Sequence, residues 1–205
     1  MDIEFKNSKK PVNYEKALKL LEKRVNEVKK GGRELVWFLE HPTTYTAGIR
    51  YKKEEILDKS INIVKTNRGG KITLHNPGQK IVYFVLDLNR RKKNIRNLVR
   101  EIENIIVEFL KVYKIKSYAD KKNIGIWVNR KKIAAIGIRV SRWVAYHGFS
   151  ININNNLDDY KKIVPWGLNN EKITSFKKEG KKSLNINKNL KNIFLKNLPK
   201  IWYFF

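Results

Sequence analysis

Apolar positions near the start of the chain recur at helical spacing. In the segment VNYEKALKLLEKRVNEVKKGG, five of them fall on one face of a helix: Ala17, Leu18, Leu21, Val25 and Val28. Asn13 is placed to cap this helix at its N-terminus, and Gly31 and Gly32 are placed to end it. A longer apolar stripe in NIRNLVREIENIIVEFLKVYKI predicts a second helix, and residues from about 188 to 202 predict a third.

Between the helices, short apolar runs bounded by turn residues predict strands. ELVWFLEH predicts one strand. NIVKTNRGGKITLHNPGQ predicts a strand, then a glycine turn and a short strand, and residues 81 to 88 predict a buried strand. IGIWVNRKKIAAIGIRV predicts a hairpin that turns near Asn129 and Arg130, and RWVAYHGFSININ predicts a further strand. Residues 51 to 60 are polar and predict a loop or a short helix. Together these elements predict an α+β fold, a mixed sheet with helices packed on one face.

The chain has no linker rich in Pro, Gly or Ser, so we expect one domain over residues 1–205. Hydrophobic residues make up 41% of it, but no apolar run approaches the length of about 20 residues that a membrane span needs. The first residues, MDIEFKNSKKPV, contain no apolar stretch of the kind found in signal peptides. We therefore expect a cytoplasmic protein without a membrane partner.

The formal net charge of +26 is extreme for 205 residues. Such a charge favours an acidic partner, either nucleic acid or an acidic carrier protein. The lysines are spread along the whole chain, however, and Lys, Asn and Ile all have A- and T-rich codons, so we attribute most of the charge to codon bias. A nucleic-acid-binding module would instead concentrate basic and aromatic residues on one face.

The chain contains no cysteine and three histidines. The lack of cysteine excludes disulfides, thiolate metal sites and a thiol nucleophile. His41, His75 and His147 do not have the spacing of helical metal ligands, so we predict no metal site.

Two segments combine small residues with polar or basic ones. RGGKITLHNPGQ starts at Arg68, and its paired glycines suit either close approach of a ligand or a tight turn. Arg68 could bind a carboxylate or phosphate, and His75 could line the same pocket. KKIAAIGIRVSRWVAYHGFSININ places small residues within strands, which leaves room for a ligand. In this segment Lys132 is either a buried base or an exposed strand-end lysine, and His147 alone is typical of a core histidine.

A third segment, IVPWGL, contains a Pro-X-Gly turn, in which Trp166 is the central residue. A sharp turn of this kind can expose a nucleophile. An indole is not a nucleophile, so the residue-by-residue interpretation is a turn with a packed aromatic side chain.

In their order along the chain, these segments resemble the lipoate-protein ligase B family, the octanoyltransferases of lipoate biosynthesis. LEHPTTYTAG is similar to the family's Glu-His-Pro…Tyr-Thr-x-Gly segment, and RGGKITLHNPGQ to its Arg-Gly-Gly…His-Gly-Pro-Gly-Gln motif. GIWV, KIAAIGIRVSRWVAYHGFSININ, IVPWGL and ITSF follow in the family's order. The resemblance covers roughly residues 14 to 180 and implies a biotin/lipoate-ligase-like catalytic domain.

The resemblance implies transfer of an octanoyl group from acyl carrier protein to a lysine on a lipoyl domain, without a cofactor. Lipoyl domains occur in 2-oxoacid dehydrogenases, and the H protein of glycine cleavage is an equivalent acceptor. The family's catalytic lysine falls on Lys132, and its nucleophilic cysteine falls on Trp166. Its substrate-binding segments fall on three stretches: Arg68, Gly69, Gly70, Lys71, Ile72, Thr73, Leu74 and His75; Ala135, Ile136 and Gly137; and Gly148, Phe149 and Ser150.

The chain departs from the family pattern at two positions. Asn76 replaces a glycine, and asparagine tolerates the left-handed backbone that such a turn needs. Trp166 replaces the cysteine with a much larger side chain that cannot attack a thioester. Ser150, Thr174 and Ser175 carry hydroxyls, but no base is evident beside any of them.

Three functions therefore remain open. In direct transfer, the pocket holds the acyl thioester and the target amine together, and Lys132 removes the proton. A catalytically degenerate member would bind acyl chains or carrier protein without turnover. An ATP-dependent lipoate ligase of the same fold would need no cysteine, although HNPGQ and KIAAIGIR…YHG resemble the transferase branch.

Overall fold

The computed structural model describes residues 3–91, 93–120, 123–167 and 172–202. Within these ranges the helices are α1 Tyr14–Lys29, α2 Ile95–Val112 and α3 Ile186–Trp202. The strands are β1 Ile3–Asn7, β2 Glu34–Leu39, β3 Thr44–Ala47, β4 Ile63–Lys65, β5 Ile72–His75, β6 Gln79–Asp87, β7 Tyr118–Ala119, β8 Ile126–Val128, β9 Lys131–Ser141 and β10 Val144–Asn152. Short 3₁₀ turns lie at Lys53–Glu55, Leu88–Arg90, Asp158–Lys162 and Pro165–Gly167.

Two sheets organise the described residues. The large one has the strand order β1-β2-β6-β10-β9-β8-β7, and the small one has the order β4-β3-β5. In the large sheet β1 runs parallel to β2, whereas the other neighbours are antiparallel, so the predicted mixed sheet is confirmed. The 3₁₀ turn Pro165–Gly167 contacts β5 of the small sheet.

Helices cover both faces of the large sheet. On one face, α2 and α3 enclose a core that contains Phe84, Phe109 and Phe194. On the other face, α1 packs its apolar side chains on Trp37 and Val85. The α+β class is confirmed, and the expectation of helices on one face holds for α2 and α3 but not for α1. Both faces of the central strands are therefore covered, which explains why β6 and β10 are buried along their whole length.

The ends of the helices follow from local sequence. The Asn13 side chain accepts a hydrogen bond from the Lys16 N–H at 3.1 Å, which confirms the predicted cap of α1. Asn94 caps α2 in the same way through the N–H of Asn97. Gly31 follows α1 with a φ of +91°, a conformation that glycine adopts without steric cost. In the described part of the chain, no helix is long and apolar enough to cross a bilayer.

The sequence analysis missed the first strand. β1 lies at the edge of the large sheet, and its residues are only partly buried. Its pairing with β2 depends on α1, which connects the two strands as a parallel crossover.

A buried ion pair lies where the start of β2 meets the end of β6. The Glu34 carboxylate accepts hydrogen bonds from the Arg91 Nη1 at 2.5 Å and from the Asp87 N–H at 2.6 Å. Its other oxygen accepts a second bond from Arg91. Both side chains are almost completely buried, so the carboxylate neutralises a guanidinium that has little access to water.

We predict that Glu34→Ala lowers the free energy of unfolding by about 3–5 kcal/mol, because it removes the carboxylate that is ion-paired with the buried Arg91 guanidinium. Urea unfolding followed by circular dichroism measures this change. The matched control, Glu22→Ala at an exposed position of α1, should change it by less than about 0.5 kcal/mol. A loss below about 1 kcal/mol for Glu34→Ala would contradict the assignment.

Candidate functional site

A cavity of about 50 Å³ lies between the large sheet and the loop that begins at Arg68. Most of the predicted substrate-binding residues line it: Arg68, Gly69, Gly70, Thr73, His75, Ala135, Ile136, Gly137, Gly148, Phe149 and Ser150. Trp166 also reaches its lining. Three stretches that are far apart in sequence are thus brought together around one space.

Small residues on adjacent strands create the floor of this cavity. Ala135 of β9 pairs with Ser150 of β10, and Gly137 pairs with Gly148. A Cβ atom at Gly137 would lie 3.6 Å from the Gly69 carbonyl oxygen, which is ordinary van der Waals contact. The loop therefore covers the sheet directly, and a larger residue at position 137 would occupy the cavity.

Gly148 is required for a different reason, the close approach of two backbones. A Cβ atom at this position would lie 1.9 Å from the carbonyl oxygen of Val82 on β6. The preceding residue, His147, has a φ of +68°, which is uncommon for non-glycine residues, although histidine adopts it more often than most. As a consequence its ring stacks on that of its neighbour Tyr146, with 4.8 Å between centroids.

Buried aromatic and imidazole rings surround the cavity on the side of α1. Tyr14 stacks on His75 with 5.7 Å between ring centroids and lies 5.0 Å from the ring of His41. Burial, and to a smaller extent the nearby His41, lower the pKa of His75 to about 3. Burial and the charge of Arg68 likewise lower the pKa of His147 to about 3. Both imidazoles are therefore neutral at physiological pH.

A wider groove of about 510 Å³ opens beside the cavity and shares several lining residues with it. The shared residues are Gly69, Gly70, Ile136, Gly137 and Trp166. Lys132 and Lys71 line the groove but not the cavity. Trp166 thus stands where the inner space meets the outer one.

Trp166 occupies a strained backbone position. Its φ of 55° and ψ of 15° are left-handed, and Gly167 follows with a φ of +74°. Left-handed non-glycine residues are uncommon and cluster at functional sites. The half-buried indole lies against Tyr160, with 5.4 Å between ring centroids. The turn therefore holds the indole in a left-handed backbone conformation where the cavity meets the groove.

Lys132 is buried beside this turn, so the alternative of an exposed strand-end lysine is wrong. Its Nζ donates to the carbonyl oxygen of Ile124 at 2.8 Å and lies 4.9 Å from the centroid of the Trp166 ring. Burial lowers the pKa of Lys132 to about 8, against the opposing effect of Asp120. A Cβ atom at Gly125, whose φ is +138°, would lie 2.4 Å from Lys132 Cε, so the glycine makes room for the amine.

Two of the predicted binding residues lie elsewhere. Ile72 and Leu74 point into the hydrophobic core beneath the small sheet, because alternate residues of β5 face opposite sides. The expectation for Asn76 was also wrong, since Gly78 provides the positive φ of that turn. Asn76 instead donates through its amide to Asn156 O and Asp159 Oδ2.

The hydroxyl residues named as substitutes for the cysteine do not take its place. Thr174 donates to the Glu179 carboxylate at 2.6 Å, so the expectation that it lacks a base is wrong. Its side chain is completely buried and lines neither the cavity nor the groove. Ser175 lies outside both linings as well, whereas Ser150 lines the cavity.

Four cavity residues were not predicted as binding residues: Tyr14, Ile81, Tyr83 and His147. Tyr14 lies three residues before Ala17 on the apolar face of α1, and this spacing could have revealed it. The orientation of His147 depends on its left-handed backbone, which the sequence does not indicate.

Comparison with known proteins places this site in a family. Residues 13–197 match the lipoyl protein ligase A/B catalytic domain. The octanoyltransferase of Ehrlichia chaffeensis is 46% identical over 185 residues, which cover 87% of this chain and 86% of that protein. The octanoyltransferase of Wolbachia from Brugia malayi is 39% identical, with 98% and 100% covered. The chain belongs to the octanoyltransferase family.

Solved structures with this fold are more distant in sequence. Lipoate-protein ligase A bound with ATP superimposes with a TM-score of 0.78 at 16% identity, covering 97% of this chain and 86% of that one. A biotin protein ligase of Leishmania major has a TM-score of 0.57 at 13% identity, covering 96% and 73%. These similarities confirm the lipoate/biotin-ligase-like fold of this octanoyltransferase-family chain. The chain has the fold of the family, but its sequence contains no cysteine. It therefore lacks the nucleophile that the resemblance implies.

We predict that Gly148→Ala and Gly137→Ala differ in stability although each adds one methyl group. Gly148→Ala should lower the free energy of unfolding by at least about 2 kcal/mol, because its Cβ collides with the Val82 carbonyl. Gly137→Ala, with ordinary contacts, should change it by less than about 1 kcal/mol. Chemical unfolding of both variants measures the difference, and equal stabilities would show that the strands do not approach as closely as described.

Proposed function

We propose that this protein transfers an octanoyl group directly from a carrier-bound thioester to the ε-amine of a protein lysine, without a covalent acyl-enzyme. The observation that carries the proposal is the position of Lys132, a buried amine of the groove whose Nζ lies 4.9 Å from the centroid of the Trp166 ring, which lines both the groove and the cavity. The cavity would hold the acyl chain, and the groove would admit the donor thioester and the target lysine.

Direct attack by the target amine requires a base that takes up its proton, and it does not require a nucleophile on the protein. The target amine attacks the thioester carbonyl carbon, an N–C bond forms, and the C–S bond then breaks. Neutral Lys132 takes the proton that the attacking nitrogen loses and returns it to the departing thiolate, so the proposed products are an amide and a thiol. A general base contributes about 10²- to 10⁴-fold, and holding the two reactants together adds several kcal/mol.

We infer an octanoyl-acyl carrier protein as donor, because the family implies such a substrate. The inferred acceptors are lipoyl domains of 2-oxoacid dehydrogenases or the H protein of glycine cleavage. Arg50 and Lys71 line the same groove as Lys132. Lys71 pairs with Glu55 at 2.8 Å, so Arg50 supplies the positive charge for an acidic donor. The site itself therefore supports this role without any appeal to the total charge of the chain.

A second candidate is a binding protein that holds acyl chains without turnover. One observation favours it: the Trp166 ring lies 4.9 Å from the Lys132 Nζ, and a cation–π contact stabilises the protonated amine. A protonated lysine is not a base. The burial that lowers the pKa of Lys132 to about 8 acts in the opposite direction and keeps a neutral fraction near neutral pH.

Intact-mass spectrometry of the reaction components tests direct transfer. With octanoyl-carrier protein and a lipoyl domain, the native protein should octanoylate the domain slowly while its own mass stays unchanged. Lys132→Met should reduce the rate by at least about 100-fold, since it removes the base. The control Lys131→Met, at an exposed neighbouring position, should leave the rate unchanged.

The variant Trp166→Cys distinguishes the candidates further. It should transfer faster and acquire an octanoyl adduct, because a thiolate can attack the thioester. Transfer by Trp166→Cys with none by the native protein would favour the binding protein instead. Transfer that requires ATP and free octanoate would identify a ligase.

We predict that the transfer rate rises with pH and levels off above about 8. The active form of Lys132 is the neutral amine, and its pKa is about 8. Each unit below that value should therefore lower the rate about tenfold. Single-turnover rates between pH 6 and 9 measure the profile, and the inflection should be absent in Lys132→Met; an inflection that persists in this variant would assign it to another group.

A further inference from the structure

Four buried polar atoms in the lining of the cavity lack a hydrogen-bond partner in the described part of the chain. They are Tyr14 Oη, Arg68 Nε, Thr73 Oγ1 and His147 Nδ1. Each of these side chains is at least nine-tenths buried. Tyr14 Oη lies near Thr66, Tyr83 and the Arg68 side chain, and Thr73 Oγ1 lies near Tyr160, in each case without a hydrogen bond of normal geometry. Polar atoms in a protein interior are nearly always hydrogen-bonded, so four exceptions in one cavity point to a ligand group.

Two of these side chains, Arg68 and His147, lie at the end of the cavity that is remote from Lys132. Lys132 and Gly137 are five residues apart on β9, about 17 Å at the rise of an extended strand. Gly137 pairs with Gly148, which pairs with Tyr83, and the ring of His147 lies 6.4 Å from that of Tyr83. The reacting carbonyl would lie near Lys132, so the remote end would receive the tail of the acyl chain.

The Arg68 side chain reaches this remote end. A Cβ atom at Gly137 would lie 3.7 Å from Arg68 Cδ. The Nη atoms of the guanidinium donate to the carbonyl oxygens of Gly69 and Thr46 and to the Thr46 hydroxyl. Its Nε makes no hydrogen bond to the described residues. The segment between this end and Lys132 is less polar, since Ile81 and Ala135 flank Ser150 there.

The donor and acceptor pattern fits a hydroxyl group. Arg68 Nε can only donate. His147 Nε2 lies 2.9 Å from Asn67 Oδ1, and donation to that oxygen leaves Nδ1 of the neutral ring as an acceptor. A hydroxyl accepts from Arg68 and donates to His147, while Tyr14 and Thr73 can do either. A methyl group satisfies none of them.

We propose that Tyr14, Arg68, Thr73 and His147 form a length stop that binds a hydroxyl group, either of water or at the end of the acyl chain. This inference rests on the proposed function, because it assumes that an acyl chain enters the cavity. A chain that reaches the stop keeps the hydroxyl in place. A longer alkyl chain would displace it and leave the four polar atoms buried without partners.

Equilibrium binding of acyl-pantetheines tests the stop without any need for turnover. In an apolar cavity each added methylene would tighten binding about 4-fold. For the native protein we expect tighter binding from hexanoyl- to octanoyl-pantetheine, but no further gain for decanoyl-pantetheine. 8-Hydroxyoctanoyl-pantetheine carries its own hydroxyl, and it should bind at least as tightly as the octanoyl compound. Equal tightening at every added methylene, with no tolerance of the terminal hydroxyl, would overturn the proposal.

Variants test whether the dependence of affinity on chain length comes from the hydroxyl groups of Tyr14 and Thr73. Tyr14→Phe and Thr73→Val each remove one hydroxyl, and each should raise the ratio of decanoyl to octanoyl affinity about 5-fold and weaken binding of the hydroxy compound. Tyr146→Phe, a buried tyrosine outside the cavity lining, is the matched control and should leave the ratio unchanged. If Tyr14→Phe does not fold, Thr73→Val alone carries the comparison.

Two results separate this inference from the function on which it rests. The expected affinity ratios without any acyl transfer would contradict the proposed transferase and support the stop. Acyl transfer with ratios that do not respond to Tyr14→Phe or Thr73→Val would overturn the stop alone. Binding of none of the acyl-pantetheines would overturn both.

Discussion

The close approach of β6, β10 and β9 determines where this protein can bind a ligand. Gly148 allows the β10 backbone to pass the Val82 carbonyl, and Gly137 lets the Arg68 loop lie directly on β9. Helices pack on both faces of the large sheet, and large apolar side chains fill the space between helices and sheet. The small residues lie where this packing leaves room for a cavity. The Arg68 loop and the turn at Trp166 then cover this place and divide it into an inner cavity and an outer groove.

In the proposed direct transfer, the turn and the lysine act together although the thiol is absent. Trp166 retains a left-handed backbone, which costs about 1–2 kcal/mol for a side chain of this kind. Lys132 stays buried beside it with a lowered pKa. The proposed route to an amide is direct attack by the target amine, which relies on position and on proton removal instead of a covalent intermediate. The proposed length stop would add a separate control over which acyl chain the cavity holds.

The sequence predicted the parts of the fold that depend on local patterns. α1, α2, the hairpin at Asn129 and the long strands follow from periodicity and turn residues. The edge strand β1 and the placement of α1 on the opposite face depend on tertiary packing, which no local pattern reports. Most binding residues followed from the family resemblance, but the roles of Tyr14 and His147 depend on a ring stack and a left-handed backbone that appear only in three dimensions.

The dependence of the initial rate on both substrates tests the central claim most directly. With octanoyl-carrier protein and lipoyl domain varied together, direct transfer requires both to be bound at once, so reciprocal plots should give intersecting lines. Parallel lines would indicate a covalent acyl-enzyme in a chain that has no cysteine to form it. Such a pattern, or the absence of any transfer, would contradict the account.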